Sequence, residues 1–314
     1  MIDIFYLDKT VRRGNIKQLA ELKNKPLWID ISSPTKEELE LLQKPFKIHP
    51  LTKEDLLKRR TRIKIEEFPN YLFCVFYGIE AKDKAAAMVE RDFLIGKNFV
   101  ISSHDKEVSF YQNLKSNKDR LARLLSKGND FLFHKLLDTD IDNYFPALEC
   151  LEDNVEDLEE QVTAGPSSNQ LLTILELKRN VLKIKRAVYQ QREYIGMLAK
   201  NGHEAISKEA IPYFRDIYDH SIRVSDTTDS LREGIMNAFD VYMSSVSNST
   251  NQIMKVLSVI ATIALPLTVI SSIYGTNFEF LPGSHNLYGF YAMVGLMLLV
   301  CVVMLLFFRK RNWF

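Results

Sequence analysis

Two long apolar stretches lie close together near the C-terminal end of the chain, and they constrain its fold more than any other feature. Neither Val256–Tyr274 nor Leu287–Phe308 contains a charged side chain. With a helical rise of 1.5 Å per residue, each stretch spans roughly the 30 Å hydrocarbon core of a bilayer. A soluble protein has little reason to place two such stretches side by side. The sequence therefore predicts a transmembrane helical hairpin, with spans at about 254–274 and 287–308, that follows a large polar part.

The polar part gives no sign of nucleic-acid binding or of enzyme chemistry. The whole sequence has 41 Lys and Arg residues against 40 Asp and Glu residues. It contains no phosphate-binding loop of the P-loop pattern, so nucleotide-driven pumping is not expected. No Ser/His/Asp or Cys/His arrangement follows from the residue spacing. The first residues lack the apolar core of a secretory signal, which predicts that the polar part stays in the cytosol.

The basic residues that flank the spans predict the orientation of the hairpin. Arg309, Lys310 and Arg311 follow the second span directly, whereas the connecting segment Gly275–Asn286 contains no Lys or Arg. The positive-inside rule then places both termini in the cytoplasm and the loop on the other side of the plasma (inner) membrane. The three cations would form a basic collar at the inner membrane surface, where anchoring to the membrane accounts for them.

The first part of the chain, residues 1–127, mixes strands and helices and predicts an α/β or α+β domain. Proline near the first turn marks helix starts at Lys36–Gln43 and Leu51–Arg59. Lys97 and Asn98 predict a hairpin turn between two strands. The predicted strands, chosen by their β-branched and aromatic content, are Asp3–Leu7, Leu27–Ile31, Tyr71–Tyr77, Met88–Ile95 and Phe99–Ser103.

Long helical periodicity begins at about Asn129, so residues 128–250 are predicted to form long helices that include a stalk. Apolar residues recur at three- and four-residue steps as far as Val162, and Pro146 predicts a kink or a break within that run. A second helix is expected at about Asn169–Lys200, antiparallel to the first. The third helix is expected to run from Ile211 without interruption into the first span and to tolerate Pro266 there.

Residues 251–314 form the predicted transmembrane hairpin, and its first span has a face that is less apolar than the rest. Two interpretations fit such a stripe: the lining of a pore, or close packing against other helices. Two spans cannot enclose a path for water, so a pore also requires several subunits around an axis. The stripe follows alternating three- and four-residue steps and consists of Asn251, Met254, Ser258, Ala261, Leu265, Thr268 and Ser272.

Several motifs together resemble the CorA family of divalent-cation transporters. The densest one runs from Phe239 to Glu279 and includes Ile260–Ile263, Leu265–Thr268 and the segment Tyr274-Gly275-Thr276-Asn277-Phe278-Glu279. Further matches are Pro212–His220, His49–Leu56 and Phe68–Tyr71. The resemblance covers nearly the whole chain.

This resemblance implies a funnel-shaped homopentamer that passes Mg²⁺, and also Co²⁺ or Ni²⁺, through the membrane. The first span of each subunit would line the axis, and a ring of Asn277 would stand at the outer mouth. Apolar rings of Met254, Leu257 and Leu265 would block conduction by excluding water, although ordinary packing explains them too. The pore-lining set would be Asn251, Met254, Leu257 or Ser258, Ala261, Leu265, Thr268 and Ser272. The resemblance also implies that the basic collar is an electrostatic barrier beside the pore exit, as an alternative to a simple membrane anchor.

The outer mouth departs from the family signature in one residue. The family has Gly-Met-Asn, whereas this chain has Gly275, Thr276 and Asn277. Related zinc transporters have Gly-Ile-Asn, so a Zn²⁺ transporter, with or without proton coupling, is the first alternative. A membrane-tethered metal sensor that transports nothing is the second. Glu279 would either concentrate cations at the mouth or be an ordinary solvated charge.

Acidic residues on the long helices suggest a regulatory metal site. Asp216 matches a position at which the family binds regulatory Mg²⁺ between subunits, and Asp219 and Asp83 are the proposed neighbours. Mg²⁺ would then be both the transported and the regulatory ion, with gating by intracellular Mg²⁺. A solvated helix face explains the same acidic residues. A second dense group consists of Glu152, Asp153, Glu156, Asp157, Glu159 and Glu160.

Overall fold

The computed structural model describes the chain apart from residues 60, 83–84, 107, 202–203, 278–280, 284–285, 312 and 314, and at 81–82, 85–86 and 201 it describes only the backbone. The described residues form two compact units. The first comprises Met1–Gln161 and Ser167–Phe239, and the second comprises Val162–Pro166 and Asp240–Phe314.

A mixed sheet of seven strands organises the N-terminal part of the first unit. One central pair of strands is parallel and every other neighbouring pair is antiparallel, which makes the domain α+β. In chain order the strands are β1 (Ile2–Asp8), β2 (Thr10–Arg13), β3 (Leu27–Ser32), β4 (Lys64–Phe68), β5 (Tyr71–Lys82), β6 (Ala85–Ile95) and β7 (Phe99–His104). Their order across the sheet is β2-β1-β3-β7-β6-β5-β4, and the parallel pair is β3 with β7.

Short helices cover one face of this sheet. Leu42, Phe46 and Leu56 of these helices join Ile29, Val75 and other strand residues in one apolar core. Thr35 caps the second helix by accepting a hydrogen bond from the Glu38 backbone N–H. A 3₁₀ turn at Ile16–Gln18 precedes the helices on this face, which are α1 (Leu19–Leu22), α2 (Lys36–Phe46) and α3 (Pro50–Lys58).

The other face of the sheet supports the helices that lead to the long bundle. Phe93 of β6 contacts Phe133 with ring centroids 5.2 Å apart, so the third helix of this face lies directly on the sheet. The helices are α4 (Ser109–Ser116), α5 (Lys118–Lys127) and α6 (Asn129–Asp142).

Three long helices follow, and the break expected at Pro146 is present. Pro146 is the third residue of α7 (Tyr144–Ala164), and α6 ends at Asp142. Proline lacks the N–H that would bond to the carbonyl of Asp142 and clashes with it, so the helix ends there. The next helices are α8 (Ser168–Asn201) and α9 (Ile211–Tyr274), and α9 has the bounds that the sequence predicts.

The last helix, α10 (Gly289–Lys310), starts and ends two residues later than the predicted second span. Within the described residues, α9 and α10 are the two helices long and apolar enough to cross a membrane. The predicted fold class is therefore confirmed: an α+β domain, then long helices, then two apolar helices that form a hairpin.

Candidate cation pathway and metal centre

The polar stripe of the first span is uncovered within the chain. Each of its seven residues, from Asn251 to Ser272, is exposed, and Leu265 keeps 68% of its surface accessible. The better-covered residues of the same segment lie on another face, where Val259 is buried and Ile263, Leu267 and Ile270 are half-buried. The stripe is therefore not the surface on which this span packs within its own chain.

The second span has a matching covered stripe. Phe308 is buried, and Met293, Met297, Val300 and Met304 are half-buried at the same three- and four-residue steps. The two spans belong to the same unit, and each has one covered face. Thioether side chains suit a covered face because they adapt to irregular surfaces.

The hydroxyl groups of the first span are bound to their own helix. Thr268 Oγ1 donates to the Ala264 carbonyl at 2.9 Å, and Thr262 Oγ1 donates to the Ser258 carbonyl at 2.7 Å. These bonds satisfy the hydroxyl protons in an apolar medium. The Thr268 oxygen on the stripe can then accept a further hydrogen bond. The water molecules around a hydrated cation point their hydrogens outwards and therefore need acceptors of this kind.

The helix ends in a compact cap that fixes the glycine and threonine of the mouth. Gly275 N–H donates to the Ser271 carbonyl at 2.9 Å, and Thr276 Oγ1 donates to the Ile273 carbonyl at 2.7 Å. A Cβ atom at Gly275 would lie only 3.1 Å from the Ser271 oxygen, which favours glycine at this position. Thr276 is therefore a capping residue in this structure.

The side chain of Asn277 is exposed, and no residue in the described part of the chain forms a hydrogen bond with its amide. Its oxygen is free to face solvent at the end of the span. Glu279, the other predicted residue of the mouth, lies outside the described residues. Tyr274 Oη donates to the Pro282 carbonyl at 3.1 Å and holds the returning loop next to this helix end.

A second candidate site lies in the first unit, where α6 meets α9. Asp138 and Asp142 are one turn apart on α6, and His220 approaches them from α9. One ligand atom from each residue lies within 4.8 Å of the other two, and His220 Nδ1 is 3.1 Å from Asp142 Oδ1. Among the described residues, Asp138, Asp142 and His220 are the one group of His, Cys, Asp or Glu side chains that lie close enough together to hold a metal ion.

The electrostatics of this group favour a cation. Burial raises the pKa of Asp142 above its ordinary value, the Asp138 carboxylate raises it further, and His220 opposes the shift. Lys135 Nζ contacts Asp138 Oδ2 at 2.6 Å and partly compensates its charge. A divalent ion would offset the repulsion between two partly buried carboxylates. Carboxylate oxygens suit Mg²⁺, whereas the His220 imidazole suits Zn²⁺ or Ni²⁺ and would contact Mg²⁺ through a water molecule.

Asp216 is the predicted regulatory residue that lies beside this group. It precedes His220 by one helical turn, and its Oδ1 is 4.0 Å from His220 Nε2. Asp219 is exposed and is not a member of the group, and Asp83 lies outside the described residues. Sequence reasoning missed Asp138, Asp142 and His220 as ligands because the two helices are far apart in sequence; the one available signal was the pair of Asp residues four positions apart.

The sheet fixes the position of α6 and hence of its two carboxylates. Asp140 is buried on the side of α6 that faces the sheet, with Oδ1 3.5 Å from Arg91 Nε. Tyr111 Oη donates to Asp140 Oδ2 at 3.2 Å. Burial raises the pKa of Asp140, and the Arg91 guanidinium opposes that rise. Asp138 and Asp142 consequently face away from the sheet towards α9.

The predicted basic collar is exposed at the end of α10. Arg309, Lys310 and Arg311 are all accessible, and the Arg311 guanidinium lies 5.8 Å from the centre of the Phe307 ring. Trp313 folds back on Phe308, with ring centroids 5.4 Å apart. Cations and aromatic rings at one end of an apolar helix are typical of a membrane interface.

Comparisons with known proteins agree with the architecture. A family model described as "CorA-like Mg2+ transporter protein" matches residues 23–310. The chain is 34% identical to the cobalt/magnesium transport protein CorA of Thermotoga maritima, over 92% of this chain and 83% of that protein. It is 30% identical to the putative metal ion transporter YfjQ of Bacillus subtilis, over 91% and 89% of the two chains.

Among solved structures, the complete structure of the CorA magnesium transporter from Methanocaldococcus jannaschii superposes with a TM-score of 0.87 at 22% identity, covering 100% of this chain and 99% of that one. That likeness extends through both apolar helices. The chain belongs to the CorA-like Mg²⁺ transporter family.

Proposed function

We propose that this chain transports divalent cations, with Mg²⁺ as the main substrate and Co²⁺ and Ni²⁺ as others, through a channel formed by five copies. The observation that carries the proposal is the uncovered polar stripe of the first span in a chain of this family. A polar face exposed on a membrane helix is costly unless it contacts other subunits or water. Five such faces around a common axis would contact both the neighbouring subunits and the water of the pathway.

In this arrangement the ring of Asn277 captures the hydrated ion first. Mg²⁺ gives up its water molecules reluctantly, and a neutral amide oxygen can accept hydrogen bonds from those waters without removing them. The free amide of Asn277 suits this role. Thr276 would act by holding the helix end through its bond to Ile273 rather than by binding the ion.

Below the mouth, the hydrated ion would pass Ser272, Thr268 and Ala261. The oxygen of Thr268 can accept a hydrogen bond from a water molecule because its proton is already donated to Ala264. Leu265, Leu257 and Met254 would form apolar constrictions that stop conduction when they exclude water. Both termini would lie in the cytoplasm of a cell whose plasma or inner membrane holds the spans. The membrane potential, negative inside, would drive entry.

Intracellular Mg²⁺ would close the channel by binding to the carboxylates of Asp138 and Asp142, with His220 and Asp216 of α9 reaching the water molecules that the ion retains. A ligand shifts a conformational equilibrium only as far as it binds one state better than the other. An ion held between α6 and α9 would couple the sheet to the helix that continues into the first span, so occupancy would favour one arrangement of α9. Asp216 is exposed enough to share this ion with a neighbouring copy.

The test is cation flux into proteoliposomes that contain the purified oligomer, with Mg²⁺, Co²⁺, Ni²⁺ and Zn²⁺ in competition, with and without a pH gradient. We expect saturable Mg²⁺ entry that Co²⁺ and Ni²⁺ inhibit and that does not depend on the pH gradient. Flux that prefers Zn²⁺ and follows the pH gradient would replace this proposal with the zinc-transporter alternative. Intact oligomers without flux would support a metal sensor instead.

A further inference from the structure

Two helices of the first unit present charged faces without partners in the described chain. The acidic face of α7 lies opposite its buried residues Leu151, Val155 and Leu158. All of its carboxylates are exposed, and none forms an ion pair with a described residue. The acidic face consists of Glu149, Glu152, Asp153, Glu156, Asp157 and Glu160.

The basic face of α8 is its counterpart. Arg179, Lys183 and Arg186 are exposed at steps of four and three residues, and none of them forms an ion pair with another described residue. Two large apolar side chains, Leu172 and Tyr189, flank these cations with 66% and 52% of their surface exposed. Tyrosine and arginine are enriched at protein–protein interfaces, so this surface suits a contact with another protein chain.

The acidic face of α7 and the basic face of α8 lie at the same height, measured along the helix axes. At one end, Gln191 Nε2 donates to Tyr144 Oη at 3.2 Å; at the other, Gln170 Nε2 donates to the Gln161 carbonyl at 3.1 Å. These two contacts fix α7 and α8 as antiparallel partners. Between them, Asp153 falls near the height of Arg179. In the same way, Glu149 falls between the heights of Lys183 and Arg186.

We propose that, in the homopentamer of the proposed function on which this inference rests, the acidic face of one copy packs against the basic face of the next. Rotation about a cyclic axis along the helices keeps every residue at its height. Each acidic face can therefore meet a basic face in register, and a head-to-tail contact of this kind closes a ring. Complementary charges determine the register of a contact and the choice of partner more than they determine the binding affinity.

A second copy fits both faces at once, which favours it over other occupants. A basic peptide would match only α7, and an anionic partner would match only α8. The whole chain has a net charge of +1, so repeated copies do not accumulate repulsive charge. A groove between α8 and α9, about 430 Å³ in volume and lined by Arg186 and Tyr189 together with Lys185 and Arg232, continues the basic face. Lys185 and Arg232 are paired there with Asp229, so among the described residues Arg186 is the unpaired cation of the groove.

Charge reversal in the full-length protein tests the contact. Reversal of the basic face (Arg179→Glu, Lys183→Glu, Arg186→Glu) should raise the concentration at which the pentamer dissociates by roughly 10- to 100-fold. Reversal of the acidic face (Glu149→Lys, Asp153→Lys, Glu156→Lys) should do the same, and the combination should restore assembly. The matched control reverses three other exposed cations, on α5: Arg120→Glu, Arg123→Glu and Lys127→Glu. It should leave dissociation unchanged. Native mass spectrometry over a dilution series measures each value.

Cysteine cross-linking keeps the test decisive if a reversal variant fails to fold. Asp153→Cys combined with Arg179→Cys should give an oxidation-dependent ladder up to the pentamer. If the reversal variants dissociate like the wild type and the double-cysteine variant gives no ladder, while the wild-type chain forms a pentamer that transports Mg²⁺, this inference alone is overturned. A wild-type chain that purifies as a monomer would overturn it together with the proposed function.

Discussion

The substitution Asp142→Asn tests the proposed Mg²⁺ regulation at the residue that joins the two helices. Asp142 lies on α6, and its Oδ1 is 3.1 Å from His220 Nδ1 on α9. Asparagine keeps the shape of the side chain and removes its charge. The variant should therefore fold normally and bind the regulatory cation more weakly.

The size of the effect follows from the small number of ligands. Three side chains converge within 4.8 Å, and the substitution replaces one of two carboxylates by a neutral amide. Changes near metal ligands typically cost 10- to 100-fold in affinity, which is about 1.4–2.7 kcal/mol. Stability without metal should change by less than about 1 kcal/mol, because the side chain is partly exposed and the substitution also relieves repulsion from Asp138.

The assay is a Mg²⁺ titration of thermal unfolding in the full-length protein, together with inhibition of flux by Mg²⁺ on the cytoplasmic side. Both midpoints should move to 10- to 100-fold higher Mg²⁺ in the variant. The matched control is Asp119→Asn, which removes an exposed carboxylate of α5 that forms no ion pair with a described residue and should leave both midpoints unchanged. Identical midpoints in Asp142→Asn and the wild type would refute the assignment of this site.

Three further predictions concern the mouth, the gate and the α+β domain. Asn277→Ala should lower Mg²⁺ uptake at least tenfold while the pentamer persists in native mass spectrometry; undiminished uptake would refute the capture role. Leu265→Ser should raise leak in proteoliposomes at high internal Mg²⁺, and an unchanged leak would remove Leu265 from the gate. Asp30→Asn should lower the free energy of unfolding by roughly 3–5 kcal/mol, because it leaves the buried His104 without its carboxylate and Lys115 with Asp3 as its one remaining ion-pair partner among the described residues. Trp28 fluorescence reports that unfolding, and a loss under about 1 kcal/mol would contradict the prediction.

The pH dependence of the same site has a defined sign. Burial alone would raise the pKa of Asp30, but His104 and Lys115 overcome burial and hold that pKa below its ordinary value. A carboxyl group with a lowered pKa stabilises the folded state at neutral pH, and this contribution is lost as the pH falls below about 4. The stability difference between wild type and Asp30→Asn should therefore shrink in acid.

The sequence predicted the helix bounds of this chain well wherever local residue patterns determine where a helix begins or ends. The bounds of α9 match the prediction because none of its helix-breaking residues forces a stop. Pro212 lies in the first turn, Gly234 is tolerable within a helix, and Pro266 lies where a membrane helix tolerates a proline. The break before α7 follows from Pro146 alone. The edge strands β2 and β4 were not predicted, since they are short or rich in charged residues and form by pairing with β1 and β5.

The metal group shows what sequence reasoning could not reach. Asp138 and Asp142 lie one turn apart, which is visible in the sequence, but their approach to His220 depends on how α6 packs between the sheet and α9. That packing is set by buried contacts such as Arg91 with Asp140, which no local pattern reveals. The resemblance pointed to Asp216 instead, one turn away from the group.

Water accessibility of the stripe tests the central claim most directly. Cysteines placed one at a time at Ser258, Thr268 and Ser272 should react with a small, water-soluble thiol reagent in the assembled protein, and the reaction should block Mg²⁺ flux. Val302→Cys and Leu306→Cys, on exposed apolar positions of α10, are the controls and should react only with a lipid-soluble reagent. If the cysteines at positions 268 and 272 behave like these controls while the pentamer still transports Mg²⁺, the first span does not line the pathway.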